Sequence, residues 1–226
     1  MNHSFWENNN KIIRDTASDY QWGGYNSERF ALVIKNAAPF GNNSPLILVC
    51  GAGMSKDTLA LQKIFKHNAT ILAVDFTKES VDYQKSLGIN SLQVDLLLYN
   101  SNWKEMFDIV IDASFTDVFT SDWKENNNKN KAVYNNKALT AIRNIIRYVK
   151  KDGLFVVNSI IQTADQYASF MNSATKKLLT YDPYIILESQ DIGGGETKRI
   201  NRWGRAVKGK GSSDGHIGLW YKKSNK

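Results

Sequence analysis

The sequence predicts an α/β domain, a doubly wound and mostly parallel seven-stranded sheet with helices on both of its faces. Short apolar runs alternate with segments of helical periodicity along the chain. Apolar runs of about four to eight residues suit strands that are buried on both faces, as in a parallel sheet covered by helices. A Gly-Ala-Gly turn, residues 51–53, directly follows the first of these runs. In open α/β sheets ligands bind at this place, beyond the carboxyl end of the first strand.

Seven runs of the sequence are candidate strands. They are LILVC (46–50), TILAVD (70–75), LQVDL (92–96), FDIVID (107–112), GLFVVNSI (153–160), YIILES (184–189) and IGLWY (217–221). The first five are nearly continuous apolar runs, which favours a buried parallel sheet over one with a solvated face.

Five segments have the periodicity of helices that bury one face. They are residues 27–37, 57–67, 78–88, 136–151 and 166–181. The third segment follows Thr77, a candidate N-cap, and ends at Gly88, a candidate C′ residue. The fourth stops at Asp152-Gly153, whereas LYNSNWKEM, between the third and fourth strands, is short enough to be only a turn. The alternation of strands and helices predicts right-handed crossovers.

Length and composition predict one domain in a soluble, cytoplasmic protein. A chain of 226 residues can bury one sizeable core. It contains no apolar run that would span a bilayer, and its first residues have no secretory apolar core. Cys50 is the single cysteine, and His3, His67 and His216 have no metal-ligand spacing, so neither a disulfide nor a metal site is expected. The expected parts are a flap and helix (1–40), a ligand-binding core (45–190) and an insertion (191–216).

The positive charge is concentrated at the end of the chain. Residues 196–226 contain nine Lys or Arg and two acidic residues, 9 − 2 = +7, which equals the formal net charge of the whole chain. The glycine-rich insertion within this segment has two interpretations, a solvated hairpin tip or a lid over an anionic partner. An acidic protein segment, a phosphorylated or nucleotide-linked sugar and RNA are the candidate anions, although no RNA-binding motif is present. The oligomeric state is not predicted.

Lys56 decides which ligands the glycine turn excludes. A phosphate-binding P-loop has the pattern GxxxxGK[ST], and a dinucleotide turn has GxGxxG. Gly51 and Gly53 fit the start of the second pattern, but Lys56 stands where either pattern requires another glycine. The sequence therefore predicts a ligand that has no diphosphate.

Acidic residues end three consecutive candidate strands. Asp75 ends the second strand, 22 residues after Gly53, where nucleoside-binding folds place a carboxylate on ribose hydroxyls. Asp95 and Asp112 lie at the ends of the third and fourth strands. A rim of carboxylates suits a ligand with hydroxyls, an amine and a positive charge, and repels phosphates. S-adenosylmethionine has these groups. The alternative is that these aspartates cap helices or loops.

The sequence resembles the class I, seven-strand S-adenosylmethionine-dependent methyltransferases, which have a Rossmann-like fold. Within them it is similar to the methyltransferase-like group that includes the elongation-factor lysine methyltransferases. The similarity lies in SFWE (4–7), YQWGGYNSERF (20–30), the turn GAGMS (51–55) and DASFTD (112–117). The last segment keeps both aspartates of the group's D-[KR]-G-x-x-D pattern but has Ala113 and Ser114 in place of the basic residue and the glycine.

The resemblance implies S-adenosylmethionine as cofactor, with the glycines near its methionine part and an aromatic N-terminal flap over it. The implied cofactor-binding residues are Trp22, Gly51, Gly53, Ser55, Asp75, Phe76, Asp95 and Asp112. Asp75 would hold the ribose, Asp95 the adenine amino group, and Asp112 would lie nearest the point of methyl transfer. An acceptor that loses a proton is helped by a general base, for which Asp112 is the first choice and Asp117 and His216 are the other candidates.

The expected activity is methyl transfer to an amine or hydroxyl. By resemblance alone, a protein lysine or N-terminal amine ranks first. O-methylation of a sugar, glycan or other small molecule follows closely because DASFTD departs from the lysine-directed pattern. A different class of hypothesis is a non-catalytic subunit with this fold that binds RNA or a protein through residues 196–226.

Overall fold

The protein is described here by a computed structural model, which covers residues 27–37, 44–66, 68–113, 115–121, 133–134, 136–159, 180–188, 199–200, 206–207 and 216–221. The helices are α1 (Ser27–Ala37), α2 (Asp57–Ile64), α3 (Lys78–Ser86) and α4 (Asn136–Ile146). The strands are β1 (Leu46–Cys50), β2 (Thr70–Asp75), β3 (Asn90–Gln93), β4 (Phe107–Ala113), β5 (Thr120–Ser121), β6 (Val133–Tyr134), β7 (Val149–Ser159), β8 (Thr180–Glu188), β9 (Arg199–Ile200), β10 (Ala206–Val207) and β11 (His216–Tyr221). Short 3-10 helices cover Ser101–Trp103 and Thr116–Phe119.

Five parallel strands form the centre of the fold, in the order β3-β2-β1-β4-β7. The parallel α/β sheet predicted from the apolar runs is therefore confirmed. The chain reverses its direction of travel across the sheet between β3 and β4, so a switch point lies beside β1. Cys50 pairs with Val74 on one side and with Asp112 on the other. The carboxyl ends of β1, β2 and β4 therefore meet at one edge.

Two further strands continue the sheet beyond β7. β11 pairs antiparallel with β7, and β8 pairs antiparallel with β11. In this register His216 lies opposite Ser159, the last residue of β7, and so begins β11 at the carboxyl edge of the parallel strands. Two short ladders, β5 with β6 and β9 with β10, stand apart from this sheet. The β9–β10 pair falls inside the basic insertion predicted at 191–216.

The sheet separates two hydrophobic cores, as expected for helices on both faces. On one face, α1 and α2 cover the strands with Phe30, Ile34 and Leu61. On the other, α4 contributes Ile142 and Ile145, with further residues from the loop after β4. Strand residues alternate between these cores, which explains why the central strands are apolar throughout. No helix in the described part of the chain is long and apolar enough to cross a membrane.

The third strand and the crossover after it differ from the prediction. The predicted strand 92–96 is observed at Asn90–Gln93, because the chain turns away from the sheet at Asp95, whose carboxylate accepts a hydrogen bond from the Leu97 backbone N–H. The segment 97–106 contains the 3-10 turn Ser101–Trp103 and no α-helix within its described residues.

The boundary between α4 and β7 also differs from the prediction. The sequence predicts a helix over 136–151, but α4 ends at Ile146 and β7 begins at Val149. The extra residues form a bulge, since Phe107 pairs with Val149 while Ile109 pairs with Leu154. The Lys150 ammonium stabilises the bulge by bonding the carboxylate of Asp108 at 2.9 Å.

Helix α3 begins and ends at the predicted residues. Thr77 occupies the N-cap position with an extended backbone, although its hydroxyl bonds Asp75 and Ser80 rather than a helix N–H. At the other end, Gly88 has φ of 76°, and the Ile89 N–H reaches back to the Gln84 carbonyl. These contacts form a Schellman motif, the ending that a C′ glycine predicts. The predicted helix 166–181 lies almost entirely outside the described residues.

Candidate functional site

The glycine turn continues directly from β1 at the carboxyl edge of the sheet. The N–H groups of Gly51 and Ala52 both donate to the Val74 carbonyl, at 2.9 and 3.1 Å. Gly51 and Gly53 have φ of 70° and 54°, in the left-handed region that glycine adopts without strain. The two predicted glycines are therefore required by the backbone of the turn itself.

Asp75 links the turn to the end of β2. Its Oδ2 accepts a hydrogen bond from the Gly53 N–H at 3.0 Å. Its Oδ1 accepts two more, from the N–H and the hydroxyl of Thr77, each at 2.9 Å. The structure thus brings together Gly53 and Asp75, which the spacing of 22 residues placed at one site.

Burial raises the pKa of the Asp75 carboxyl above its usual value. The hydrogen bonds from Thr77, Gly53 and Ser80 lower the pKa and only partly offset the desolvation. The residue keeps 8% of its surface exposed. A partly desolvated carboxylate of this kind gains from any further donor that a ligand brings.

The loop after β4 packs against the glycine turn. A Cβ added at Gly51 would lie 2.7 Å from the Cβ of Phe115 and 3.2 Å from its Cα. Phe115 is buried beside Phe119, with their rings edge to face and 5.3 Å between centroids. The close approach of the two backbones therefore joins the ends of β1 and β4.

Asp112 is fully buried and holds this loop. Its Oδ1 accepts hydrogen bonds from the N–H groups of Phe115 and Thr116, at 2.7 and 3.2 Å, and its Oδ2 accepts one from the Thr116 hydroxyl. Burial raises the pKa of the neighbouring Cys50 thiol, and the negative charge of Asp112 raises it further. These contacts fit the loop-capping alternative for Asp112, and its contact with a cofactor or substrate stays a prediction.

Asp95 and Phe76 complete the same edge at β3 and β2. Asp95 is exposed, and its Oδ1 accepts the Leu97 N–H at 2.9 Å. The carbonyl of Phe76 accepts a hydrogen bond from the Gln93 side chain at 2.9 Å. Ser55 is buried, and its hydroxyl accepts the N–H of Asp57 at the start of α2. The predicted ligand residues of strands two and three thus occupy neighbouring turns.

Several predicted site residues cannot be placed at this site. Trp22, like the rest of the predicted flap before α1, lies outside the described residues, which begin at Ser27. The backbone of Asp117 is in the 3-10 turn Thr116–Phe119 and that of His216 begins β11, but their side chains are not described. Among the described residues, no group of three or more His, Cys, Asp or Glu is arranged to hold a metal ion.

Two buried side-chain amides that bond the site were not among the site residues predicted from the sequence. Gln84 in α3 and Asn144 in α4 bond backbone carbonyls of the glycine turn and of the loop after β3. For Asn144 the available signal was a polar residue at an inward position of an otherwise apolar helix face. For Gln84 there was no such signal, because the buried face of α3 also contains Ser80. The sequence pattern alone does not show what such a residue bonds.

Comparison with known proteins supports the fold. No protein-family model matches this sequence, and no curated protein is a significant match. A TehB-like S-adenosylmethionine-dependent methyltransferase from Corynebacterium glutamicum aligns with a TM-score of 0.61 and 19% identity, over 98% of this chain and 100% of that one. A Burkholderia thailandensis 1,6-didemethyltoxoflavin-N1-methyltransferase, solved with that substrate and S-adenosylhomocysteine, aligns with 0.59 and 13%, over 98% and 87%. This chain has the fold of the class I S-adenosylmethionine-dependent methyltransferases.

The fold alone does not determine the reaction. The [4+2]-cyclase SpnF also aligns, with a TM-score of 0.62 and 13% identity, over 96% of this chain and 91% of that one. One methyltransferase-like fold therefore accompanies different chemistries, and the activity has to be argued from the site. The narrower resemblance to elongation-factor lysine methyltransferases gains no support from these structures.

Proposed function

We propose that this protein is an S-adenosylmethionine-dependent methyltransferase. One observation carries the proposal: the N–H of Gly53, in the turn after β1, is bonded at 3.0 Å to the carboxylate of Asp75, at the end of β2. This arrangement puts a glycine backbone and a carboxylate side by side at the switch point, where ligands of open α/β sheets bind. It does so without the third glycine that a pyrophosphate requires, because Lys56 stands there.

The positions of the two carboxylates suit the cofactor. The Asp75 carboxylate accepts from the Gly53 N–H at Oδ2 and from the N–H and hydroxyl of Thr77 at Oδ1, and the Ser80 hydroxyl bonds it as well. A ribose hydroxyl would reach Asp75 at the 8% of its surface that stays exposed. Asp95 is exposed, and its Oδ2 can accept from the adenine amino group while Oδ1 holds Leu97. Gly51, Ser55 and Phe76 would line the same site.

In this proposal the protein binds and aligns rather than reacts. When bound, S-adenosylmethionine supplies an activated methyl group on a sulfonium centre. The chain holds the ribose and adenine at β2 and β3, excludes water and orients the acceptor for an in-line attack. For removal of the acceptor's proton, we infer His216 rather than Asp112 as the base. The Asp112 carboxylate is buried in hydrogen bonds to its own loop, whereas His216 begins β11 at the carboxyl edge. Asp117 remains a candidate on that loop.

The proposal extends to the organisation of the chain. Residues 1–226 would form one domain of this type, with β8 and β11 as the last two strands of a seven-stranded sheet and Trp22 in a flap over the cofactor. The basic segment 196–226 would lie on the acceptor side and favour an anionic partner.

The acceptor is proposed to be an amine or a hydroxyl. A protein lysine or N-terminal amine ranks first, and a sugar, glycan or other small molecule second. Incubating the protein with S-adenosylmethionine carrying a radiolabelled methyl group and with separate protein, RNA, glycan and small-molecule fractions distinguishes these classes. Label in the protein fraction is the expected result. Label in another fraction only would replace the first-ranked acceptor without affecting the cofactor.

Calorimetric titration tests the cofactor itself. The wild-type protein is expected to bind S-adenosylmethionine and S-adenosylhomocysteine, and Asp75→Ala to weaken both by about tenfold or more, because a hydrogen bond to a charged group is lost. Asp82→Ala is the matched control, since Asp82 is an exposed carboxylate on α3 that pairs only across the helix surface with Lys78. Absence of binding to the wild type at millimolar ligand would reject the proposed function. Equal affinities of wild type and Asp75→Ala would reject the role of Asp75.

A further inference from the structure

One buried side-chain amide holds the glycine turn from outside. The Gln84 Nε2 group donates to the carbonyls of Gly53 and Ser55, at 2.9 and 3.0 Å. Gln84 belongs to α3 and is 0% exposed. Its Oε1 accepts the hydroxyl of Thr58, in α2, at 2.6 Å. Both donors and the acceptor of the amide are therefore used, which fixes its orientation.

The backbone of Gln84 is fixed as well. Its carbonyl accepts the Ile89 N–H in the Schellman motif that ends α3, and Gly88 supplies the left-handed residue of that motif. The amide is therefore attached to a rigid helix end and not to a frayed terminus. Its two donors meet the turn from a fixed point.

A second buried amide holds the loop after β3 from the opposite face of the sheet. The Asn144 Nδ2 group donates to the carbonyls of Leu96 and Leu97, at 3.1 and 3.0 Å. Asn144 belongs to α4 and is 6% exposed. This loop carries Asp95, the exposed carboxylate that the proposed function assigns to adenine.

Planar peptide groups connect these contacts to the ligand residues. A carbonyl and the N–H of the next residue are rigidly coupled, so fixing one fixes the direction of the other. The peptide groups that Asn144 holds are those whose N–H groups, on Leu97 and Leu98, donate to the Oδ1 and carbonyl of Asp95, at 2.9 and 3.0 Å. In the same way, Gln84 fixes the peptide group between Gly53 and Met54 and the peptide group between Ser55 and Lys56.

We propose that Gln84 and Asn144 are positioning residues that preorganise the two ligand loops. They act through backbone carbonyls, from helices on opposite faces of the sheet. The inference rests on the proposed function for the identity of the ligand. Loops that are already ordered in the free protein lose little conformational entropy when the ligand binds. The two amides therefore raise affinity without contacting the ligand.

The test compares each amide with a neighbouring buried polar group. Gln84→Met keeps the length of the side chain and removes both donors. Its control, Thr58→Val, removes the hydroxyl from the same network but leaves both donors on the turn. Asn144→Leu removes the second amide. Its control, Tyr148→Phe, removes the hydroxyl that accepts a hydrogen bond from the Asn100 N–H of the same crossover segment, away from Asp95.

Two measurements on the full chain decide the result, the dissociation constant for S-adenosylhomocysteine and backbone amide hydrogen exchange in the free protein. Gln84→Met and Asn144→Leu are expected to weaken binding about tenfold. Each should also speed exchange at its own loop, residues 51–57 or 95–98. The controls should reduce stability with less than about threefold change in affinity. If Gln84→Met fails to fold, Gln84→Ala replaces it, because a water can then reach the two carbonyls.

The outcomes separate the two claims. Affinity losses that follow stability equally in variants and controls, or unchanged exchange at both loops, would overturn the positioning role. A wild-type protein that binds no S-adenosylhomocysteine would overturn the proposed function. In that case the exchange data still decide whether Gln84 and Asn144 order these loops.

Discussion

Gly51 and Gly88 have similar left-handed backbones, with φ of 70° and 76°, but different surroundings. Gly88 has nothing within 4 Å of the position that a Cβ would take. At Gly51 the same atom would lie 2.7 Å from the Cβ of Phe115, nearer than two such atoms can approach. Gly88 is therefore required by its φ angle alone, whereas Gly51 is required both by its φ angle and by the loop after β4.

We expect Gly51→Ala to cost more stability than Gly88→Ala. The φ angle costs an alanine about 1 kcal/mol at either position. At Gly51, displacing the Phe115 backbone adds about 1–3 kcal/mol. Urea unfolding of the two variants measures the difference. Phe115→Ala should not rescue Gly51→Ala, because alanine keeps the Cβ that clashes. Equal losses in the two variants would contradict this account of the glycine turn.

Residues whose position depends on strand order could be predicted from the sequence, whereas residues that matter through long-range contacts could not. Gly53 and Asp75 follow adjacent strands, and strand ends meet at one edge whatever the details of packing. Gln84 and Asn144 act on carbonyls 31 and 48 residues earlier in the chain, contacts that the helical pattern does not specify. The carboxylate of Asp112 illustrates the same limit. Its place at a strand end was predictable, but its bonds to Phe115 and Thr116 depend on the path of the loop.

Among the elements, the crossover from β3 to β4 is the most unusual. Its described residues contain only a 3-10 turn, so this crossover places no α-helix over β1, β2 and β3. An open cavity of about 690 Å³ lies at this place, with Leu46, Leu72 and Leu92 among its lining residues. Leu92 and Met106 are 48% and 42% exposed. The shortness of LYNSNWKEM already indicated that this crossover could be a turn without a helix. The sequence pattern does not show that apolar side chains would be left exposed.

Removing these side chains should reduce the binding of an apolar dye. We expect Leu92→Thr with Met106→Thr to lower the fluorescence of bound anilinonaphthalene sulfonate, because contiguous exposed apolar surface takes up such dyes. Stability should change by about 0.5 kcal/mol or less per exposed site. Leu32→Thr is the matched control, since Leu32 is 45% exposed on α1, whose buried residues pack on the other face of the sheet. Equal fluorescence losses in the control would show that the cavity is not the binding place.

At the scale of the whole molecule, the proposed function makes Asp75 a link between folding and ligand binding through one proton. Burial raises the pKa of Asp75 in the folded protein, and the bonds from Thr77 and Gly53 offset only part of this effect. The folded protein therefore holds this proton more tightly than the unfolded chain does. The contribution of this group to stability is full below the unfolded-state pKa and is lost as pH rises through the folded-state pKa. In the proposed function a ribose hydroxyl donates to this carboxylate and favours its charged form, so ligand binding is expected to have the opposite dependence on pH.

We therefore expect stability and affinity to change in opposite directions over one pH range, which begins near the usual aspartate pKa and extends upward through the raised one. Urea unfolding from about pH 4 to pH 7 should show a free energy of unfolding that falls with pH relative to Asp75→Asn, which has no proton to lose. Only the difference in pH dependence is compared, because asparagine also alters the bond to Gly53. Over the same range, calorimetry should show S-adenosylhomocysteine binding the wild type more tightly as pH rises. Parallel stability curves for the two proteins would show that burial does not perturb Asp75. An affinity that is independent of pH, beside diverging stability curves, would show that the ligand does not donate to this carboxylate.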